Sequence, residues 1–208
     1  VYNLVIQIKD KHNYQARWKE ETILKWIDET LYPIIVRKRQ IGNKVILSQE
    51  DYDKTATIAT SILNGEFTKP ILDEYPGSYQ AELYTDTLKG LLDYLQIDHE
   101  KKLMRIIDFK TTSDYLEAFP KSIKRFGYNI QLSFYYHLAQ CAYPTYTQLE
   151  PVLIVGSMKE PDYAEPFTLS YKVLDEAKHG YTDKYGIVHK GWLELLDIAN
   201  NYQHEMYN

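Results

Sequence analysis

The stretch that most constrains this chain runs from Gly90 to Lys110, where two aspartates and a lysine interrupt apolar, strand-like runs: Gly90-Leu-Leu-Asp93, then Ile106-Ile-Asp108-Phe-Lys110. A carboxylate inside a buried strand is costly unless something pairs with it or coordinates it. Periodicity of two and the intervening polar clusters predict three antiparallel strands, Tyr79–Thr85, Gly90–Asp98 and Leu103–Thr111, joined by Asp86–Lys89 and His99–Lys102. Centring each loop symmetrically pairs Thr85 with Gly90 and Asp98 with Leu103. That register sets Asp108 opposite Asp93 and Glu82 opposite Asp93 on the other side, so three carboxylates line up across neighbouring strands. Lys110 shares the face of Asp108, with Leu91, Leu95, Ile97, Met104 and Ile106 around them.

Like charges directly opposite on a sheet destabilise it, and an apolar setting sharpens the repulsion. A divalent cation is the natural compensator. Few protein oxygens plus water is how Mg²⁺ is held, with Mn²⁺ as an alternative, and the backbone carbonyl of Phe109 lies between the two side chains as a further ligand. Lys110 would then orient or deprotonate a water attacking phosphorus. An acid two residues before a lysine also occurs at Glu100/Lys102 and Glu176/Lys178, where a surface salt bridge is sufficient explanation. Only Asp108/Lys110 follows an apolar strand with another aspartate across a hairpin. Gln131 and Tyr135, four apart on a predicted helix, share a face with Leu138.

The remaining elements frame this centre as an α/β fold. A strand is expected over Val1–Lys9 and a helix over Trp18–Leu31 that Pro33 ends. Arg37-Lys-Arg39 reads as a solvated cluster or a phosphate contact, and Gly42-Asn43 turns the chain into Val45-Ile-Leu47. Ser48 caps a helix running to about Leu63, and Thr68–Gly77 is a loop. Ser113–Gly127 is irregular, Tyr128–Cys141 helical and Pro151–Met158 a buried strand. Phe167–Val173 alternates as another strand, and a last helix over about Val188–Tyr202 buries Trp192, Leu195, Leu196 and Ile198 or Ala199.

A formal net charge of −5 argues against a generally basic nucleic-acid coat, yet Lys101 to Ile130 holds seven Lys or Arg against three acids. Lys121, Lys124 and Arg125 within it fit either phosphate contacts or a solvated face. Cys141 is alone, which rules out an intrachain disulfide, and its apolar neighbours suggest a buried thiol. No apolar run approaches the ~18 residues of a membrane span, and no signal-peptide pattern opens the chain, so a cytoplasmic protein is the default. Twenty tyrosines are spread through every element as packing residues rather than a stacking platform. The length suits one domain over residues 1–208, and Val1 in place of Met suggests that an upstream segment is missing.

Four stretches together resemble the PD-(D/E)XK nuclease superfamily, and within it the phage and prophage exonucleases similar to exodeoxyribonuclease VIII (RecE-like). They are Gly90-Leu-Leu-Asp93; Ile107-Asp-Phe-Lys-Thr-Thr112; Phe126-Gly-Tyr-Asn-Ile-Gln-Leu-Ser-Phe-Tyr135; and Lys159-Glu-Pro-Asp-Tyr163. The resemblance implies a restriction-endonuclease-like core, a central mixed sheet with an antiparallel meander flanked by helices. It implies Mg²⁺-dependent exonucleolytic hydrolysis of DNA at duplex ends, in the service of phage-type recombination. Asp93, Asp108, Lys110, Gln131 and Tyr135 would be catalytic, and Glu82, Asp93, Asp108 and the Phe109 carbonyl would hold the metal. Such enzymes work beside single-strand annealing proteins, and homo-oligomers are open. Relatives carry a metal-site histidine on an upstream helix, and His12 sits in no such context. An endonuclease on the same core, a catalytically silent DNA-binding or assembly module, and an aromatic-rich ligand binder are the alternatives.

Overall fold

The computed structural model describes residues 18–42 and 47–206. The strand expected over Val1–Lys9, most of that at Val45–Leu47, and His12 lie outside the described residues. The chain divides into two compact units, Val1–Gln49 and Glu50–Asn208.

In the first unit a continuous helical segment runs through α1 (Glu20–Trp26), a π-helical turn (Ile27–Leu31) and α2 (Tyr32–Ile41). Ile23 and Ile27, four apart, form its buried stripe. Pro33 does not end it. The prolines that break helices do so by losing an internal N–H bond and clashing with the preceding turn. Pro33 instead sits in the first two residues of α2, directly after the widened π turn, where both penalties are smallest.

The second unit begins one residue into α3 (Gln49–Asn64), which Gly65 closes, and a one-turn helix α4 (Lys69–Leu72) follows inside the stretch expected to be loop. The meander follows as β1 (Gly77–Tyr84), β2 (Lys89–Asp98) and β3 (Leu103–Thr112). A 3₁₀ turn (Leu116–Ala118) and α5 (Pro120–Arg125) occupy the segment expected to be irregular, and α6 spans Tyr128–Ala142. Then come β4 (Thr147–Gln148), β5 (Val152–Ser157), β6 (Ala164–Thr168), α7 (Tyr171–His179), β7 (Gly180–Thr182), β8 (Val188–Lys190) and α8 (Trp192–Met206).

The central sheet has six strands in the order β1-β2-β3-β5-β6, with β4 also pairing β3. β1, β2 and β3 are antiparallel neighbours, β3 runs parallel to β5, and β6 returns antiparallel, which makes the sheet mixed. The parallel step requires a crossover, and α6 is its helix. Ile58 and Ile62 of α3 cover one face with Tyr94, Ile107, Val152 and Ile154, while Leu132, Leu138 and Ala139 of α6 cover the other with Leu92, Leu95, Met104, Ile106, Leu153 and Val155. β5 is buried along its whole length, as a continuous apolar strand between two helical layers should be.

Three further assignments differ from expectation. Phe167–Val173 splits into the end of β6 and the start of α7, because Val173, Leu174 and Ala177 continue the apolar pattern at helical spacing after Ser170. The last helix starts at Trp192 rather than Val188, since Val188–Lys190 pairs with Gly180–Thr182. It buries Trp192 but leaves Leu195 and Ile198 exposed. Cys141 is exposed, not buried: α6 turns Leu138 and Ala139 inward, and Cys141 lies on the outer face with His137, whose Nε2 is 3.8 Å from its Sγ.

Candidate active site

The β2–β3 register places Asp98 opposite Leu103 and Tyr94 opposite Ile107, as symmetrical centring of the loop requires. Regular pairing stops at Tyr94. In its place the Asp93 carboxylate reaches across, and Oδ2 accepts the backbone N–H of Phe109 at 3.0 Å. A side chain does there what the backbone of β2 does elsewhere, so the strands open where the charged residues lie. An extended residue's N–H and C=O project to the same edge, which turns the Phe109 carbonyl into that opening as well.

Strand alternation changes phase at this point. Ala81 and Leu92 pack on the α6 side, yet Tyr79 and Tyr94, two residues away along each strand, pack against each other on the α3 side. Between them lies Gln80, with a left-handed φ of 52°. The phase change explains why Leu91 is exposed and Leu92 fully buried, the reverse of strict alternation.

Asp108 is 1% exposed. Burial pushes its carboxyl up to about 6, against the pull of Lys110 and with a further push from the neighbouring Asp93. Its Oδ2 is in charge contact with the Lys110 ammonium but receives no well-directed hydrogen bond. Lys110 is held from a second direction by the face of Tyr128, 5.1 Å from its Nζ to the ring centre. Tyr128 is the functional neighbour that sequence reasoning passed over; its one signal is its place at the start of the helix carrying Gln131 and Tyr135.

That helix can lie close because β2 has no side chain at Gly90. A Cβ there would come within 2.7 Å of Leu138 Cδ1 and 3.2 Å of Tyr135 Cε1. Gln131 Nε2 donates to the Tyr135 hydroxyl at 3.2 Å, and Tyr128, Gln131 and Tyr135 recur at three- and four-residue spacing on one face.

Glu82 stands elsewhere. β1 pairs two residues out of the expected register, so Glu82 opposes Leu91, and its exposed carboxylate accepts the Tyr84 hydroxyl. The cause is the turn: Thr85 donates its N–H to Leu88 O at 2.8 Å, and its Oγ1 accepts Leu88 N–H at 3.0 Å, which closes Thr85–Leu88 and pairs Tyr84 with Lys89. Among the basic candidates, Lys121 is exposed, Lys124 leans onto Tyr181 and Glu176, and Arg125 lies over the ring of Phe126.

Among the described residues no three His, Cys, Asp or Glu side chains cluster as a ready-made metal cage. Two adjacent carboxylates, one buried with an oxygen lacking a directed donor, still fit a hard divalent cation that keeps several waters. Asp93, Asp108 and the Phe109 carbonyl are the groups that would hold it.

The residues from 12 to 180 match the family model of the PD-(D/E)XK nuclease superfamily, and the chain belongs to that superfamily. Among solved structures it is similar to a protein titled "Putative exonuclease" from Eubacterium rectale, at 11% identity and a TM-score of 0.47 over 78% of this chain. A second, SSO0001, matches at 16% identity and a TM-score of 0.30 over 73% of this chain. The chain spans 65% and 66% of the lengths of these two proteins. A search of the curated proteins gives no match. Among the described residues no helix is long and apolar enough to cross a membrane.

Proposed function

We propose that this chain is a divalent-cation-dependent deoxyribonuclease, taking Mg²⁺ or Mn²⁺, and that it is an exonuclease of the exodeoxyribonuclease VIII (RecE-like) type acting on duplex DNA ends. Its place would be the cytoplasm of a bacterium or phage-infected cell, in recombination beside a single-strand annealing protein. The observation that carries the reading is the buried Asp108 carboxylate, set beside Asp93 and Lys110 where β2 and β3 part. A bound cation supplies charge neutralisation at the phosphate and a more acidic water. Asp93 is fixed by the Phe109 N–H, so one of its oxygens stays available for coordination. Lys110 is held between Asp108 and Tyr128, and from there its ammonium would orient the attacking water or meet the phosphate oxygens. Gln131 and Tyr135, joined by a hydrogen bond on the helix that begins at Tyr128, would face the DNA or the attacking water.

The test is nucleotide release from 5′- and 3′-labelled duplex with Mg²⁺ or Mn²⁺. Wild type should release nucleotides from the ends, and Lys110→Ala should be slower by about 10²-fold or more, the scale of a positioned proton-transfer or electrostatic group. No release with either ion, or an Asp108→Ala variant as active as wild type, overturns the enzyme reading. Cleavage of closed circular DNA would favour an endonuclease.

A further inference from the structure

Tyr128 does more than touch Lys110. Its ring is 5.9 Å from that of Phe126 and 5.8 Å from that of Phe119, the latter at an interplanar angle of 15°. Phe119 is buried and anchors the group from inside, whereas Phe126 is 60% exposed. On the outer side the Arg125 guanidinium lies 5.4 Å from the centre of the Phe126 ring. A single ladder therefore leads from the surface to the reactive lysine: Arg125, Phe126, Tyr128, Lys110. The hinge that aims it is Gly127, whose φ of +72° reverses the chain between the end of α5 and the start of α6. Across that turn the Phe126 and Tyr128 rings meet at a tilt of 43°.

An exposed aromatic ring flanked by a cation presents a flat apolar face and a positive charge side by side. Nucleobases stack on such rings regardless of sequence, and a guanidinium beside the ring takes the adjoining phosphate. Within a duplex both faces of a base are occupied by its neighbours and only the outermost pair offers a free face, whereas any unpaired base can lie on Phe126. The charge agrees, since α5 contributes Lys121 and Arg125 to this side and no acid.

We propose that Arg125, Phe126 and Tyr128 form a contact surface for a single DNA strand leading to Lys110, with an unpaired base on Phe126, its phosphate on Arg125, and Tyr128 as the positioning residue for the lysine. This rests on the reading of the chain as a DNA-processing protein and adds which form of DNA lies at the entrance and which side chains receive it. Lys124 belongs to the scaffold rather than to this surface, because its ammonium is occupied by the Tyr181 hydroxyl at 3.3 Å and by Glu176.

Fluorescence anisotropy with a labelled single-stranded oligonucleotide, in chelator so that no cleavage occurs, tests the surface without relying on activity. Phe126→Ala should weaken binding by about 5- to 100-fold, the range for loss of one stacked base, and Phe126→Trp should bind at least as well as wild type. Arg125→Gln should weaken binding and flatten its salt dependence. Because Phe126 is exposed, the variants should keep the wild-type circular dichroism spectrum and melting temperature. If wild type binds single-stranded DNA and Phe126→Ala binds it equally well, the surface is wrong while the nuclease reading stands. If wild type binds neither single- nor double-stranded DNA, the nuclease reading fails first and takes this one with it.

Discussion

Removing the charge of Asp108 should make the fold more stable. In the folded chain its carboxyl is raised from the ordinary 3.8 to about 6, chiefly by burial. Between those values the folded state retains a proton that the unfolded chain gives up, so stability falls as pH rises through that window. Fully developed above about pH 6, the difference amounts to about 3 kcal/mol at roughly 1.4 kcal/mol per pH unit. Asparagine has the shape of the protonated acid and carries no charge. Lys110 loses an ionic partner in the variant but keeps the Tyr128 ring, and its side chain is 16% exposed, enough to reach water. In cation-free buffer near pH 7.5, Asp108→Asn should therefore melt about 6 to 12 °C above wild type, given ~2–4 °C per kcal/mol for a chain of this size. The gap should close on acidification towards pH 4. Differential scanning calorimetry at both pH values, with EDTA present, measures it. A variant that melts at or below wild type at pH 7.5, or a gap that does not change with pH, would refute the claim that burial outweighs the lysine at this site.

Two further outcomes follow from the geometry around it. Gly90→Ala places a methyl group 2.7 Å from Leu138 Cδ1 and 3.2 Å from Tyr135 Cε1, so these two side chains have to shift; a cost of about 1–3 kcal/mol is the usual range for such overpacking. Urea unfolding should show the loss, and nuclease activity should fall more than stability does because the Tyr135 ring is displaced. Glu82→Gln should leave divalent-cation binding, read as the rise in melting temperature with added Mn²⁺, the same as in wild type. Asp93→Asn in the same titration should abolish most of the rise, and a loss in Glu82→Gln would show that the carboxylate does reach the ion.

Much of the centre was legible in the chain because chemistry and pattern coincide there. Asp93 and Asp108 stand out as charges in apolar strands, and the four-residue loop after Asp98 sets the β2–β3 register as far as Tyr94 and Ile107, one residue short of the expected Asp93–Asp108 pair. The same counting misplaced Glu82 because the Thr85 hydroxyl closes its turn early, a side-chain effect that loop length does not reveal. Strict alternation also failed at one pair, Gln80 and Asp93, since a left-handed residue in a strand leaves no mark on hydrophobic periodicity. Tyr128 was hidden for another reason: one tyrosine among twenty has no distinguishing neighbour in sequence, and only the packing of α6 against β3 gives it a partner. At Pro33 local propensity lost to the π turn before it, and at Tyr171 a short alternating run concealed the start of a helix.

The left-handed residue has a consequence at the rim of the sheet. β1 ends the strand order, and among the described residues no further strand pairs with its outer side. A flat row of free amide and carbonyl groups of that length, with Tyr79 and Tyr84 exposed along it, would be a template for another chain to join and for aggregates to grow. Gln80 breaks the row near its middle. The β1–β2 pairing skips Gln80 and Asp93 together, so the interruption of β1 as a docking edge falls at the level of the sheet where Asp93 turns to the Phe109 N–H.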